Sequence, residues 1–234
     1  MTGIGALLLQ DPNKIFDVDA PAIRELIKER NWDKLVDKNK IARIINFVKN
    51  DIVFGFSKKP LLAASQVLSE GRGYSLTKSI LLKTLLDSCG ILCRFHAFTV
   101  NKELYQGLTS PLNYNMLPNN LISSWVEVFY ENRWLVADGV LLDAAYFESL
   151  QGEFHEAQKE FAGFGCSIFL EGNIHTVWNG KNHTYCQRAA ITRDLGLIEE
   201  FEWFFSEFIK DFKHLGKISP KFANKAIHRR RFPK

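Results

Sequence analysis

The 234 residues suffice for one sizeable domain, and 46% hydrophobic, 13% aromatic and 24% charged residues argue for a packed core rather than disorder. No apolar run approaches the ~20 residues that span a bilayer, and the opening MTGIGALLLQ lacks the basic start of a secretory signal, so a cytoplasmic location is expected. The net charge of +4 hides an asymmetry: residues 210–234 hold nine Lys and Arg against one acidic residue, leaving 21 basic and 25 acidic residues in the body.

In chain order, Asp19 to Asn50 reads as two helices. Pro21 suits a first helical turn, and Ile23, Leu26 and Ile27, then Ile41, Ile44, Ile45 and Val48, are spaced for one buried face each. A short apolar stretch, Ile52–Phe56, precedes a brief helix over Leu61–Leu68. From Ser75 the spacing of Ile80, Leu81, Thr84, Leu85 and Ser88 predicts another helix, with Gly90 placed where a helix most often ends. A strand follows over Ile91–Val100, then a loop from Asn101 to Asn120 broken by Pro111 and Pro118. Near-alternating apolar residues predict a hairpin of Ser124–Tyr130 and Arg133–Ala137 joined through Glu131-Asn132. Leu197, Phe201, Phe205, Phe208, Phe212 and Leu215 recur at steps of three and four, the stripe of an amphipathic helix. The basic end is expected to stand apart from the core. The domain reading is thus one domain over 1–209 and a basic C-terminal tail over 210–234.

Two spaced motifs carry chemistry. The first is GYSLTKSILLKTLLDSCGILCRF from Gly73, the second SSWVEVFYENRWLVAD from Ser123. Together they resemble the transglutaminase-like, papain-related cysteine-hydrolase superfamily, whose signatures are Gly-x-Cys opening a helix, Gly-Ile-x-x-Arg on the next strand, and His-x-Trp-x-Glu-Val followed by a Trp and an acidic residue. Gly73, Gly90, Ile91, Arg94, Trp125, Glu127, Val128, Trp134 and Asp138 match, and clear resemblance covers about residues 40–145. The resemblance implies an α+β fold, a helical lobe packed on an antiparallel β-sheet. It also implies that Ser75 begins a long helix and that Ser123 and Asp138 face it from adjacent antiparallel strands. The nucleophile position, nineteen residues before Arg94, is Ser75 instead of cysteine, and the histidine position is Ser123.

In the family's chemistry a cysteine at a helix N-terminus is held as thiolate by the helix dipole and an imidazolium. The imidazole shuttles the proton and a carboxylate orients the ring. Ser75 is a far weaker nucleophile unless a base removes its proton. The hydroxyl of Ser123 neither holds a proton reversibly near pH 7 nor carries charge, and Asp138 has no imidazole to orient. Losing the base alone costs about 10⁶ in rate where triad members act as a unit. The resulting expectation is a degenerate site (Ser75, Ser123, Asp138) in a pseudoenzyme that holds an extended peptide or protein partner in the inherited cleft, with possible polyanion contact through the basic tail. The alternative is an active acyl-transfer hydrolase, a protease, amidase or transglutaminase, using Ser75 with a relocated base. His96 is the nearest candidate, with His155, His175 and His183 further on. No cofactor or metal is expected. P-loop, GxGxxG and HExxH motifs are missing, and His175, His183 and Cys186 lack a second close pair of ligands.

Overall fold

Asp19 to Asn50 folds as helices α1 (Pro21–Glu29) and α2 (Asp37–Asn50) in the computed structural model, which describes residues 14–156, 160–169 and 175–233. The opening Met1–Gln10 and Lys234 lie outside the described residues. Pro21 sits in the first turn of α1, and the anticipated apolar residues of both helices are buried. The stretch after α2 forms a two-residue strand, β1 (Val53–Phe54), paired in parallel with β2 (Arg72–Gly73). Helix α3 (Ala64–Glu70) connects them and ends at Gly71, whose φ of +60° favours a residue without Cβ.

Helix α4 (Ser75–Ser88) is central. The sequence spacing suggests one apolar face, yet Leu76, Leu82 and Leu86 are buried as well, so the helix is enclosed nearly all round. Gly90, at φ +71°, follows its end. Next come β3 (Cys93–Asn101), a short helix α5 (Pro111–Asn115) inside the Asn101–Asn120 loop, β4 (Asn120–Tyr130) and β5 (Arg133–Val136). The β4–β5 turn has Glu131 and Asn132 both at positive φ (48° and 60°), the backbone a two-residue hairpin demands.

Helix α6 (Ala144–Glu156) carries the chain past Leu150, where the sequence pattern blurs, into the hairpin β6 (Glu160–Gly163) and β7 (Cys166–Phe169), and then β8 (Ile191–Leu197). The main sheet runs β5-β4-β3-β8, every neighbour antiparallel. The fold is therefore α+β, helices packed on an antiparallel sheet, as expected. Helix α4 lies against β4, and Ser79 Oγ donates to the Ser124 carbonyl at 3.2 Å. None of the helices among the described residues is long and apolar enough to cross a membrane.

Two expectations are corrected at the C-terminal end. The aromatic stripe is not one helix: Leu197 closes β8, and the rest divides into α7 (Phe201–Glu207) and α8 (Ile209–Leu215), broken at Phe208. The second correction concerns the basic segment, which does not stand apart. Phe212, Leu215, Ile218, Ala223 and Ile227 are buried, the last two on α9 (Pro220–Arg231), which starts at Pro220 with Ser219 as its cap. Asn224 accepts from Phe56 N and donates to Phe56 O, both at 2.8 Å. Arg231 grips the buried Asp143 with two nitrogens, at 2.9 and 2.6 Å, and donates to Phe54 O. Charge counting misses this because the apolar residues of α9 alternate with the cations that dominate its composition.

Candidate functional site

Ser75 is the first residue of α4. Tyr74 occupies the cap, and Thr77 Oγ1 reaches back to accept from Tyr74 N at 3.0 Å. This places the Ser75 side chain at the positive end of a 14-residue helix. On the sheet, the antiparallel register sets Arg94 opposite Glu127, His96 opposite Trp125 and Phe98 opposite Ser123. The two-residue period of a strand therefore puts all six on one face. Ser123 lies at the α4 end of that row.

The Ser75 and Ser123 hydroxyls meet at 2.8 Å. Asp138 departs from its expected placement on a strand: β5 ends at Val136, and Asp138 starts a 3₁₀ turn (Asp138–Val140) just beyond. It does not touch either serine. A residue the sequence reading did not single out, Gln187, fills the gap. Its Oε1 lies 2.6 Å from Ser123 Oγ and its Nε2 donates to Asp138 Oδ1 at 2.7 Å. Asp138 Oδ2 accepts the backbone N–H groups of Cys186 and Gln187, at 2.6 and 2.8 Å. All four side chains are buried: Ser75 is 5% exposed, Ser123 and Gln187 0%, and Asp138 2%.

The direction of the hydrogens follows from donor inventory. Asp138 only accepts, so the Gln187 amide must turn its NH₂ toward Asp138 and its oxygen toward Ser123. That oxygen also only accepts, so the one Ser123 proton goes to it. Ser75 must then donate to Ser123 Oγ. The hydroxyl line runs Ser75 to Ser123 to the Gln187 oxygen, with both hydroxyl hydrogens spoken for, while the Gln187 nitrogen donates separately to Asp138. It ends at an amide oxygen, which does not take up a proton near neutral pH. Burial pushes the Asp138 carboxyl above the ordinary carboxylate range, against the three N–H groups that favour its ionised form.

His96, the nearest histidine in sequence, is not brought to Ser75. Its Nδ1 is 2.8 Å from Glu127 Oε1 and its Nε2 is 2.6 Å from Asp194 Oδ1. Burial opposes the charged ring, but the two carboxylates outweigh it and raise the His96 pKa. Glu127 also accepts from Arg94 Nε (2.8 Å) and Trp125 Nε1 (3.3 Å). Burial works against its charge, yet these bonds and His96 hold it down at about 2. The Arg94 guanidinium stacks 4.0 Å over Trp134. The signature residues Arg94, Trp125, Glu127 and Trp134 thus form one structural cluster with His96. His183 Nδ1 accepts from Val136 N at 3.0 Å, and His175 Nε2 lies 3.4 Å from Asn182 Nδ2, so neither ring is turned to Ser75. The side chain of His155 lies outside the described residues.

Beneath the site are two buried lysines. Lys49 donates to the Gly139 and Thr176 carbonyls (3.0 and 2.7 Å), and Lys78, one turn along α4 from Ser75, donates to the Lys49 and Leu141 carbonyls (both 3.1 Å). Burial lowers both, Lys78 to about 7. Lys78 is turned to carbonyls of the α2 end and of the segment after β5. All four cysteines are free, three of them buried and Cys89 half-buried.

A family model described as the transglutaminase-like superfamily matches residues 27–139, a span that holds Ser75, Ser123 and Asp138 but stops short of Gln187. No curated protein and no solved structure matches the chain.

Proposed function

Because residues 27–139 belong to the transglutaminase-like superfamily, we propose that this protein is a non-catalytic member whose inherited cleft holds an extended peptide or a protein partner in the cytoplasm. The observation that carries the non-catalytic half is the donor–acceptor line itself. Ser75 is held donating to Ser123, whose own proton goes to an amide oxygen, so neither acceptor in line from Ser75 can act as general base, and Asp138 is separated from both serines by the amide. Burial of the nucleophile position at 5% exposure supports the same reading, since an acyl donor must touch the attacking atom. The binding half rests on the family match: a domain of a family that grips acyl chains can hold such a chain without the chemistry. Four free cysteines fit a reducing compartment.

The test is labelling by a fluorophosphonate probe together with assays for peptidase, amidase and transglutaminase turnover. Neither should rise above background in the unmodified protein. Turnover abolished by Ser75→Ala would establish the active alternative instead, with a relocated base.

A second reading has its own observation. Lys213, Lys217, Lys221, Lys225 and Arg229 fall every fourth residue along α8, the turn after it and α9, and are all exposed, a set of cations available to a polyanion. Replacing Lys221, Lys225 and Arg229 by Gln should weaken binding to nucleic acid or anionic vesicles and flatten its salt dependence. Unchanged, salt-insensitive affinity removes this reading.

A further inference from the structure

We infer that Gln187 is the positioning residue that keeps this site in its inert arrangement, because its side-chain amide occupies the place between position 123 and Asp138 where an imidazole would have to lie. This deepens the non-catalytic reading and rests on it. The geometry is specific. A serine side chain is too short to reach from β4 to Asp138, and the distance is covered by one amide that contacts Ser123 at one end and Asp138 at the other, at 2.6 and 2.7 Å. Gln187 is held in place from both sides: its own backbone N–H and that of Cys186 donate to Asp138, and it is fully buried. Buried interiors are packed to crystal density, so two groups cannot share that volume.

Three consequences separate this from a passive contact. First, the amide supplies the acceptor for the Ser123 proton and the donor to Asp138 Oδ1 that loss of the imidazole would leave unmade. Second, it fixes the direction of both hydroxyl hydrogens, so Ser75 is held as a donor to Ser123. Third, the histidine position and the nucleophile position are not the only obstacles to a working triad. A ring at position 123 would meet the Gln187 amide, and Asp138 would remain occupied by Gln187 Nε2. Three changes are needed, the third 64 residues from the second along the chain.

The experiment is a cycle in which Ser75→Cys is combined with S123H, Q187A, Q187N, and S123H together with each Gln187 change. Two properties are read, the melting temperature and the pKa of the introduced thiol, followed by the pH titration of thiolate ultraviolet absorbance. The parent chain with the same changes but Ser75 retained is subtracted. With Gln187 present, S123H should lower Tm by several degrees and leave the thiol pKa unchanged. With Q187A or Q187N, most of that Tm loss should be recovered. The thiol pKa should fall by at least one unit, a tenfold rise in the ratio of thiolate to thiol at neutral pH. A merely structural Gln187 moves Tm but not the thiol. The inference is overturned if S75C/S123H already shows the lowered thiol pKa with Gln187 in place. It is also overturned if removing the amide leaves the thiol of S123H chains unchanged, or if S123H folds with neither Q187A nor Q187N, since vacated space should accept the ring. None of these outcomes depends on turnover by the unmodified protein, so the two readings fail separately.

Discussion

At the scale of single residues, buried charge gives the sharpest expectations. Asp143 accepts from Phe54 N, Tyr146 N and two nitrogens of Arg231. Burial alone would raise its pKa, but Arg231 and the Phe54 N–H outweigh burial and lower it. Arg231→Met leaves that carboxylate uncompensated and should cost about 3–5 kcal/mol in urea unfolding. Adding Asp143→Asn should return much of it, and a cost for Arg231→Met below about 1 kcal/mol would show that the pair contributes little. Lys78 behaves in the opposite sense. Its folded pKa is lowered from 10.5 to about 7, so between those values the unfolded chain binds a proton that the native chain does not. Stability should therefore rise with pH across that window, by up to about 1.4 kcal/mol per unit relative to Lys78→Met. Parallel curves for the two proteins at pH 7, 8 and 9 would count against it. Residues of this kind differ in how visible they are from sequence. Ser75, Ser123 and Asp138 are found because two motifs fix their spacing. Gln187 has no motif, lies outside the matched span, and reaches the site only because the segment before β8 folds back beneath Asp138.

Among the elements, β8 is the outer strand of the sheet, and the bond from His96 Nε2 to Asp194 ties it down, while His96 Nδ1 engages Glu127 on β4. The raised pKa of His96 means its contribution is complete below the unfolded value near 6.5 and is lost as pH climbs through the higher folded value. Glu127, lowered to about 2, contributes above its unfolded value of 4.5 and fades as acid approaches 2. Hydrogen exchange of β8 amides, corrected for intrinsic rates, should therefore be faster at pH 8 than at pH 6. His96→Gln should remove the difference; an equal difference in that variant would assign the effect elsewhere. Periodicity makes α1, α2, α4 and the β4–β5 hairpin legible, because the apolar residues that set each spacing are buried, although α4 buries its other faces as well. It misread α7 and α8 as one helix, since a stripe at steps of three and four does not reveal a break in the backbone at Phe208. It also passed over α5, a five-residue helix that tertiary packing, not propensity, sustains.

For the molecule as a whole, the last described elements are part of the first. Deleting everything after Leu215 removes Ile218, Ala223 and Ile227 from the core, together with Asn224 and Arg231. Cooperative unfolding should be lost or shifted by more than the Arg231→Met change alone, as read by circular dichroism against temperature. A deletion variant as stable as the full chain would mean the segment is dispensable. That dependence has a consequence for how the chain is made. The Phe54–Phe56 backbone, which lies in the first quarter, is paired on one side by β2 and on the other by the side chains of Asp143, Asn224 and Arg231. A ribosome delivers residues one after another, so this segment waits for Asn224 and Arg231, which follow 168 and 177 residues later. Its apolar neighbours stand uncovered meanwhile, open to non-native contacts until the region around residue 231 has been made.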